Sequence, residues 1–191
     1  MSPASESIAP EQIENAVVAL RAGGVIAYPT EAVYGLGCDP FNEAAVARLF
    51  ALKQRPAGQG VLLIGADFSQ LEKFIGTIPA DALVRARTTW PGPHTWVFPR
   101  SALTPAWLAG AHAGIAVRAT AHKIAAQLCY AFGGALVSTS ANRHGAEPAR
   151  DAAQVRAIFG DELACILNGA TGGLERPTPI RDAISGDVIR N

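Results

Sequence analysis

Two cations stand two residues apart in Lys53-Gln54-Arg55-Pro56, and three hydroxyls with an amide follow in Ser138-Thr139-Ser140-Ala141-Asn142. A third polar stretch, Tyr28-Pro29-Thr30-Glu31-Ala32-Val33-Tyr34-Gly35-Leu36-Gly37, adds two more hydroxyls and a glycine turn. Together they are equipment for gripping an anionic nucleotide beside a small polar substrate. Arginine presents a planar fork that matches a phosphate, and lysine a compact, mobile charge. Pro56 disfavours helical geometry at Arg55. The expectation is a helix that ends near Gln54 and a chain that leaves extended, so that Lys53 and Arg55 face one ligand. Taken alone, the segment reads first as plain cations at a helix C-terminus, held by the helix dipole.

The Ser138–Asn142 run follows an apolar segment that reads as a buried strand. α/β proteins place ligands at the carboxyl ends of strands. Its hydroxyls and amide can donate to phosphate or carboxylate oxygens, and can help hold a hydrated magnesium ion carried mainly by substrate phosphates. The other use is a turn in which Ser and Asn bond the local backbone. Thr30 and Tyr34 offer hydroxyls, while Gly35 and Gly37 let backbone come close to a ligand. Alternatively, this stretch is a glycine turn with Tyr34 in the core. Arg118 ends an apolar strand. It either pairs with a structural carboxylate or receives an anionic ligand, and the expectation adopted is the ligand.

The elements that must position these groups are legible in outline. Ile13, Ala16, Val17 and Leu20 recur on one helical face after Pro10, and Gly23-Gly24 ends that helix. Val25–Tyr28 reads as a strand stopped by Pro29, and residues 43–53 as a second helix. Val61–Ile64, Thr95–Phe98, Gly114–Arg118 and Ala135–Ser138 read as further short strands. Asp67 with Gln70 suggests a helix cap, and Pro79 the start of a helix. Thr120 is placed to cap a helix over 121–132, and Asp151 one that runs through Phe159. Two short strands flank Ser185-Gly186-Asp187 as a hairpin. Strands alternating with helices give an α/β fold, and the terminal hairpin makes its sheet mixed.

The chain has 191 residues, 49% of them hydrophobic and 17% charged, which suits one compact domain. Residues 1–8 read as a flexible tail, and 9–191 as the domain. Sixteen basic residues balance sixteen acidic ones, whereas a nonspecific nucleic-acid binder is usually more basic. Cys38, Cys129 and Cys165 lack metal-ligand spacing and read as small buried hydrophobes. His94, His112, His122 and His144 show no metal pairing and no nucleophile motif, and read as surface or packing residues. No Walker phosphate loop, GxGxxG fingerprint, GxSxG elbow or CxxC pair is present. With no secretory signal and no membrane-length apolar run, the expected setting is reduced and cytoplasmic.

These segments, with Trp90-Pro91-Gly92-Pro93-His94-Thr95, Ala116-Val117-Arg118 and Pro179-Ile180-Arg181-Asp182, occur in the order of a known family. The chain resembles the YrdC/Sua5 family of threonylcarbamoyl-AMP synthases, its short bacterial single-domain branch in particular. The resemblance implies a YrdC-like fold: an open, twisted mixed sheet with flanking helices and a positively lined groove. It implies a nucleotidyltransferase that joins L-threonine, bicarbonate and ATP, with Mg2+, into L-threonylcarbamoyladenylate and pyrophosphate. A separate transferase complex would then move the threonylcarbamoyl group onto tRNA.

The family's Lys-x-Arg…Ser-x-Asn signature falls on Lys53, Arg55, Ser140 and Asn142, implied to hold the ATP phosphates and metal. Arg118 is grouped with the ATP contacts. Thr30 falls on the family's Pro-Thr-Glu threonine, with Tyr34 and Thr178 grouped beside it on the amino acid. Thr178 stands where the family has a serine, and Gln59 near a place where many members carry a lysine. Two rival functions are a noncatalytic module contacting tRNA or double-stranded RNA, and a domain that makes carbamoyl-adenylate from carbamoyl phosphate. Steeply salt-dependent RNA binding without ATP turnover marks the first. The acylphosphatase-like and zinc-finger segments that accompany the second are not visible in the sequence.

Overall fold

The computed structural model describes residues 8–56, 58–176 and 178–190. The tail expected over 1–8 lies, apart from Ile8, outside them. Nine strands form one sheet in the order β7-β1-β2-β6-β3-β5-β4-β8-β9. They are β1 Ile26–Pro29, β2 Tyr34–Gly37, β3 Leu62–Gly65, β4 Thr95–Pro99, β5 Gly114–Ala119, β6 Leu136–Ser140, β7 Cys165–Ile166, β8 Ile180–Asp182 and β9 Val188–Arg190. β1·β7, β3·β5 and β4·β8 run parallel and the remaining neighbours antiparallel, so the sheet is mixed as expected. The terminal hairpin is β8 and β9.

Side chains alternate across each strand, and the alternation builds two cores. Ala27, Leu36, Leu63, Trp96, Phe98, Val117 and Val137 pack on one face. They meet Val46, Leu49 and Phe50 of helix α2 (Glu43–Lys53) and Val155 and Phe159 of helix α6 (Ala152–Phe159). Ile26, Tyr28, Ile64 and Leu136 point to the other face. There they meet Ile13, Ala16, Val17 and Leu20 of helix α1 (Pro10–Arg21) and Ile124, Ala125 and Leu128 of helix α5 (Lys123–Phe132). Helices α3 (Ala80–Arg87) and α4 (Ala106–Ala109) complete the set.

α1 and α5 cover only part of their face. Further along it, the same alternation presents Gly35, Leu62, Thr95, Val97, Gly114, Ala116, Arg118, Ser138 and Ser140, and these floor an open cavity. Several of these side chains are small, so the sheet itself recedes there.

Local readings differ in instructive ways. Pro29 does not stop β1 but ends it opposite Tyr34, at a hairpin tip where no ladder donor is needed. β2 follows at once, in a stretch whose glycines and polar residues read as a loop. Gly37 serves packing rather than a ligand: a Cβ there would lie 2.6 Å from the Val137 carbonyl and 2.7 Å from the Tyr28 ring. Thr120 does not cap α5. His122 does, since α5 starts only at Lys123; the Thr120 hydroxyl donates to Glu31 and accepts the His122 amide instead. Asp67 caps a 3-10 turn, Phe68–Gln70, and Asp151 caps α6 as expected.

Leu63 is fully buried at the centre of the larger core. Leu63→Ala is expected to lower unfolding free energy by about 2–5 kcal/mol, read from the midpoint of urea denaturation.

Candidate active site

Helix α2 ends in a double turn. The Arg55 amide donates to the Phe50 carbonyl and the Gln54 amide to Ala51, both at 3.0 Å, with Gln54 in the left-handed region at φ 53°. This corrects the expected extended exit. Lys53 and Arg55 reach one cavity because the chain reverses between them, not because they alternate along a strand.

The turn after β6 docks on this helix end. The His144 amide donates to the Lys53 carbonyl at 2.7 Å, and Arg143 Nη1 to the Leu52 carbonyl at 2.5 Å. Two carbonyls that a helix leaves unsatisfied are thereby paired. Lys53, only 3% exposed, points back into the same turn. Its Nζ donates to the main-chain carbonyls of Ser140 and Asn142, the latter at 2.9 Å, and to Asn142 Oδ1 at 3.1 Å. The Ser140 hydroxyl donates to that same Oδ1 at 2.6 Å. Burial, and then the like charge of Arg55, push the Lys53 ammonium down to about 8.

Arg55 lies alongside. Its Nη1 reaches Thr139 Oγ1 at 3.3 Å, Nη2 the Gly60 carbonyl at 2.8 Å, and Nε the Gln59 side-chain oxygen at 3.1 Å. Burial and then Arg190 lower its proton affinity. Arg190, on the last strand, also lines the cavity, so a third cation joins the pair. Nothing in the local sequence flagged Arg190: its place depends on β8 pairing with β4 and β9 with β8.

The other side of the cavity is built on a buried ion pair. Arg118 Nη2 lies 3.3 Å from Glu31 Oε2, and both side chains are under a tenth exposed. Glu31 Oε1 accepts from the Thr120 hydroxyl at 2.7 Å and the Ala121 amide at 3.2 Å. Arg118 Nη1 donates to the Thr178 hydroxyl at 2.7 Å. Of the two uses considered for Arg118, the structure therefore shows the carboxylate pairing, while the residue still lines the cavity.

Thr30 lines the cavity too, its hydroxyl donating to the Val33 carbonyl at 2.7 Å. Tyr34 departs from expectation. Its hydroxyl is fully buried, donates to the Gly169 carbonyl at 2.6 Å and accepts the Gly169 amide at 3.1 Å. It anchors the segment that leads to Thr178 and has no donor left for a substrate. Gly172 lies in that segment because a Cβ there would meet Glu31 backbone at about 2.9 Å.

The cavity has a volume of about 600 Å³. Of the residues predicted for the site, Thr30, Tyr34, Lys53, Arg55, Arg118, Ser140, Asn142 and Thr178 all border it, although the Tyr34 side chain packs in the core. His112 and His144, read as surface or packing residues, stand at its rim. Among the described residues, no aspartate or glutamate lines it. It holds four guanidinium or ammonium groups. One is matched by Glu31 behind it; among the described residues, no carboxylate within salt-bridge distance faces Lys53, Arg55 or Arg190. Such a site can bind a polyanion on the Lys53 side and a smaller polar molecule on the Arg118 side.

Known proteins resemble the chain in sequence and in fold. A threonylcarbamoyl-AMP synthase of Halorhodospira halophila is 54% identical over 95% of this chain and 95% of its own length. One of Alkalilimnicola ehrlichii is 56% identical over 94% and 95%. The crystal structure of P. abyssi Sua5 complexed with L-threonine superposes with a TM-score of 0.88 at 35% identity, covering 93% of this chain and 52% of that longer one. The Sua5/YciO/YrdC family model, described as "Telomere recombination", matches residues 18–191, a span that holds every cavity residue named above. With fold and sequence in agreement over nearly its whole length, the chain belongs to the Sua5/YciO/YrdC family.

Proposed function

We propose that this chain forms L-threonylcarbamoyladenylate and pyrophosphate from L-threonine, bicarbonate and ATP. Relatives at 54% and 56% identity carry the name threonylcarbamoyl-AMP synthase, and a structural neighbour was solved with L-threonine. The observation that carries the reading is the convergence of Lys53 and Arg55 on the Ser140–Asn142 turn, inside the cavity that Thr30 and Arg118 also line.

Lys53, Arg55 and Arg190 neutralise the triphosphate, and Ser140 and Asn142 orient it. The residues suit magnesium that arrives with the nucleotide: their oxygens are neutral hydroxyls and amides, and the phosphates supply the charged ligands. Bound so, magnesium withdraws charge from the phosphoryl oxygens. Thr30 and Thr178 sit on the amino-acid side. The sequence grouped Arg118 with the nucleotide; its pairing with Glu31 supports reading it instead as a partner for the carboxylate of threonine. A charge-balanced arginine suits a zwitterion better than a triphosphate.

The neutral threonine amine adds to bicarbonate with loss of water, or to carbon dioxide from it with release of a proton to solvent, giving a carbamate. A carbamate oxygen then attacks the α-phosphorus, and the bond to the β,γ-pyrophosphate breaks. Negative charge grows on the phosphoryl and leaving-group oxygens, where fixed cations stabilise it, while positioning lowers the barrier further. No side-chain nucleophile is needed. The product is a reactive mixed anhydride, and we assign its consumption to a tRNA threonylcarbamoyl transferase complex.

The test is pyrophosphate release from purified protein with ATP, magnesium, bicarbonate and labelled threonine, each omitted in turn; turnover without threonine or bicarbonate defeats the proposal. Lys53→Ala and Arg55→Ala are each expected to lower adenylate formation about ten-fold or more, since one charged contact is worth roughly 1.5–3 kcal/mol.

The Lys53 N–H groups are held by the Ser140–Asn142 turn, so it draws the phosphates through its charge, which only the protonated form carries. Above about 8 the free protein must take up a proton to bind nucleotide. ATP affinity, measured by calorimetry without threonine, is therefore expected to weaken above that pH, by up to about ten-fold per unit. Lys53→Arg should carry this decline to higher pH.

A further inference from the structure

The cavity's cations fall into two groups with different bookkeeping of charge. Lys53, Arg55 and Arg190 line it with no carboxylate in salt-bridge range among the described residues. Arg118 stands apart from them, its polar contacts being Glu31 and Thr178. Glu31 does not itself line the cavity. It lies behind Arg118, 6% exposed, its Oε1 fixed by Thr120 and the Ala121 amide. A polyphosphate is drawn to unpaired cations, whereas a balanced ion pair offers it little Coulombic gain. A zwitterionic amino acid, neutral overall, loses much less by that balance.

Building on the function proposed above, we propose that Glu31 is a positioning residue that keeps the amino-acid side of the cavity closed to polyphosphate. By neutralising Arg118 it confines phosphate chains to the Lys53 side, and it holds the guanidinium fork toward Thr178 for a substrate carboxylate. Discrimination of this kind comes from making the wrong ligand worse as much as the right one better.

The inference is read from binding alone, with inorganic tripolyphosphate as the probe. L-threonine affinity is measured by calorimetry with and without tripolyphosphate, at saturation of the Lys53 side. In the parent protein the threonine Kd should stay within about two-fold. In Glu31→Gln, where Arg118 is unbalanced, tripolyphosphate should compete and raise the apparent threonine Kd at least about five-fold. Glu31→Asp, which keeps the charge, should restore the parent pattern. A role confined to folding would move the melting temperature without creating this competition. Removing one partner of a buried pair is often destabilising, so Glu31→Ser is the second variant, with folding of each checked by circular dichroism.

Competition in the parent overturns the inference, as does its absence in folded Glu31→Gln and Glu31→Ser. Failure of the parent to bind threonine at all sinks the functional reading, and this one with it. Threonine binding with the wrong competition pattern sinks this one alone.

Discussion

One ammonium group organises the candidate site. Lys53 Nζ is enclosed by two main-chain carbonyls and the Asn142 side chain, while the carbonyls of Leu52 and Lys53 accept from Arg143 and His144. A helix end and a strand end, far apart in sequence, are thus joined in both directions. The bonds fix the Ser140–Asn142 turn, and the turn fixes the cation. Burial makes the charge costly and leaves the ammonium near its point of neutrality at about 8. An incoming anion restores what burial takes away. Arg55 and Arg190 extend the same field along the cavity.

The cavity exists because one sheet face serves two purposes. Where α1 and α5 lie on it, the inward residues are Ile26, Tyr28, Ile64 and Leu136. Beyond those helices the same sheet face turns up Gly35, Gly114, Ala116 and Ser138, too small to fill the space. Neither face requires a break in the sheet: β3 carries Ile64 under the helices and Leu62 under the cavity. Burial of the opposite face under α2 and α6 supplies the stability that lets this one stay open.

Much of this was legible in the sequence, for reasons that differ by residue. Lys53, Arg55, Ser140 and Asn142 declared themselves by type and spacing, and the strands beneath them by short apolar runs. The resemblance to a family then joined segments that spacing alone leaves separate. The backbone at Gln54 was not legible, since a left-handed glutamine defies the usual glycine signal. Nor was Tyr34, whose hydroxyl was grouped with the amino-acid contacts yet is spent on Gly169, 135 residues away. Arg190 and the Glu31–Arg118 pair belong to the same class. Each depends on which strands become neighbours, and local pattern does not carry that information.

Strand order also grades how firmly the cavity is held. β6 is flanked on both sides, by β2 and β3, and forms the seam through which the two halves of the sheet are continuous. β9 is an exposed outer edge with a single neighbour, and it carries Ile189 and Arg190 to the cavity mouth. Amides near the seam open only with the whole domain, while those of an outermost strand fray freely. The lip can breathe as ligands pass, and the floor that aligns them stays shut.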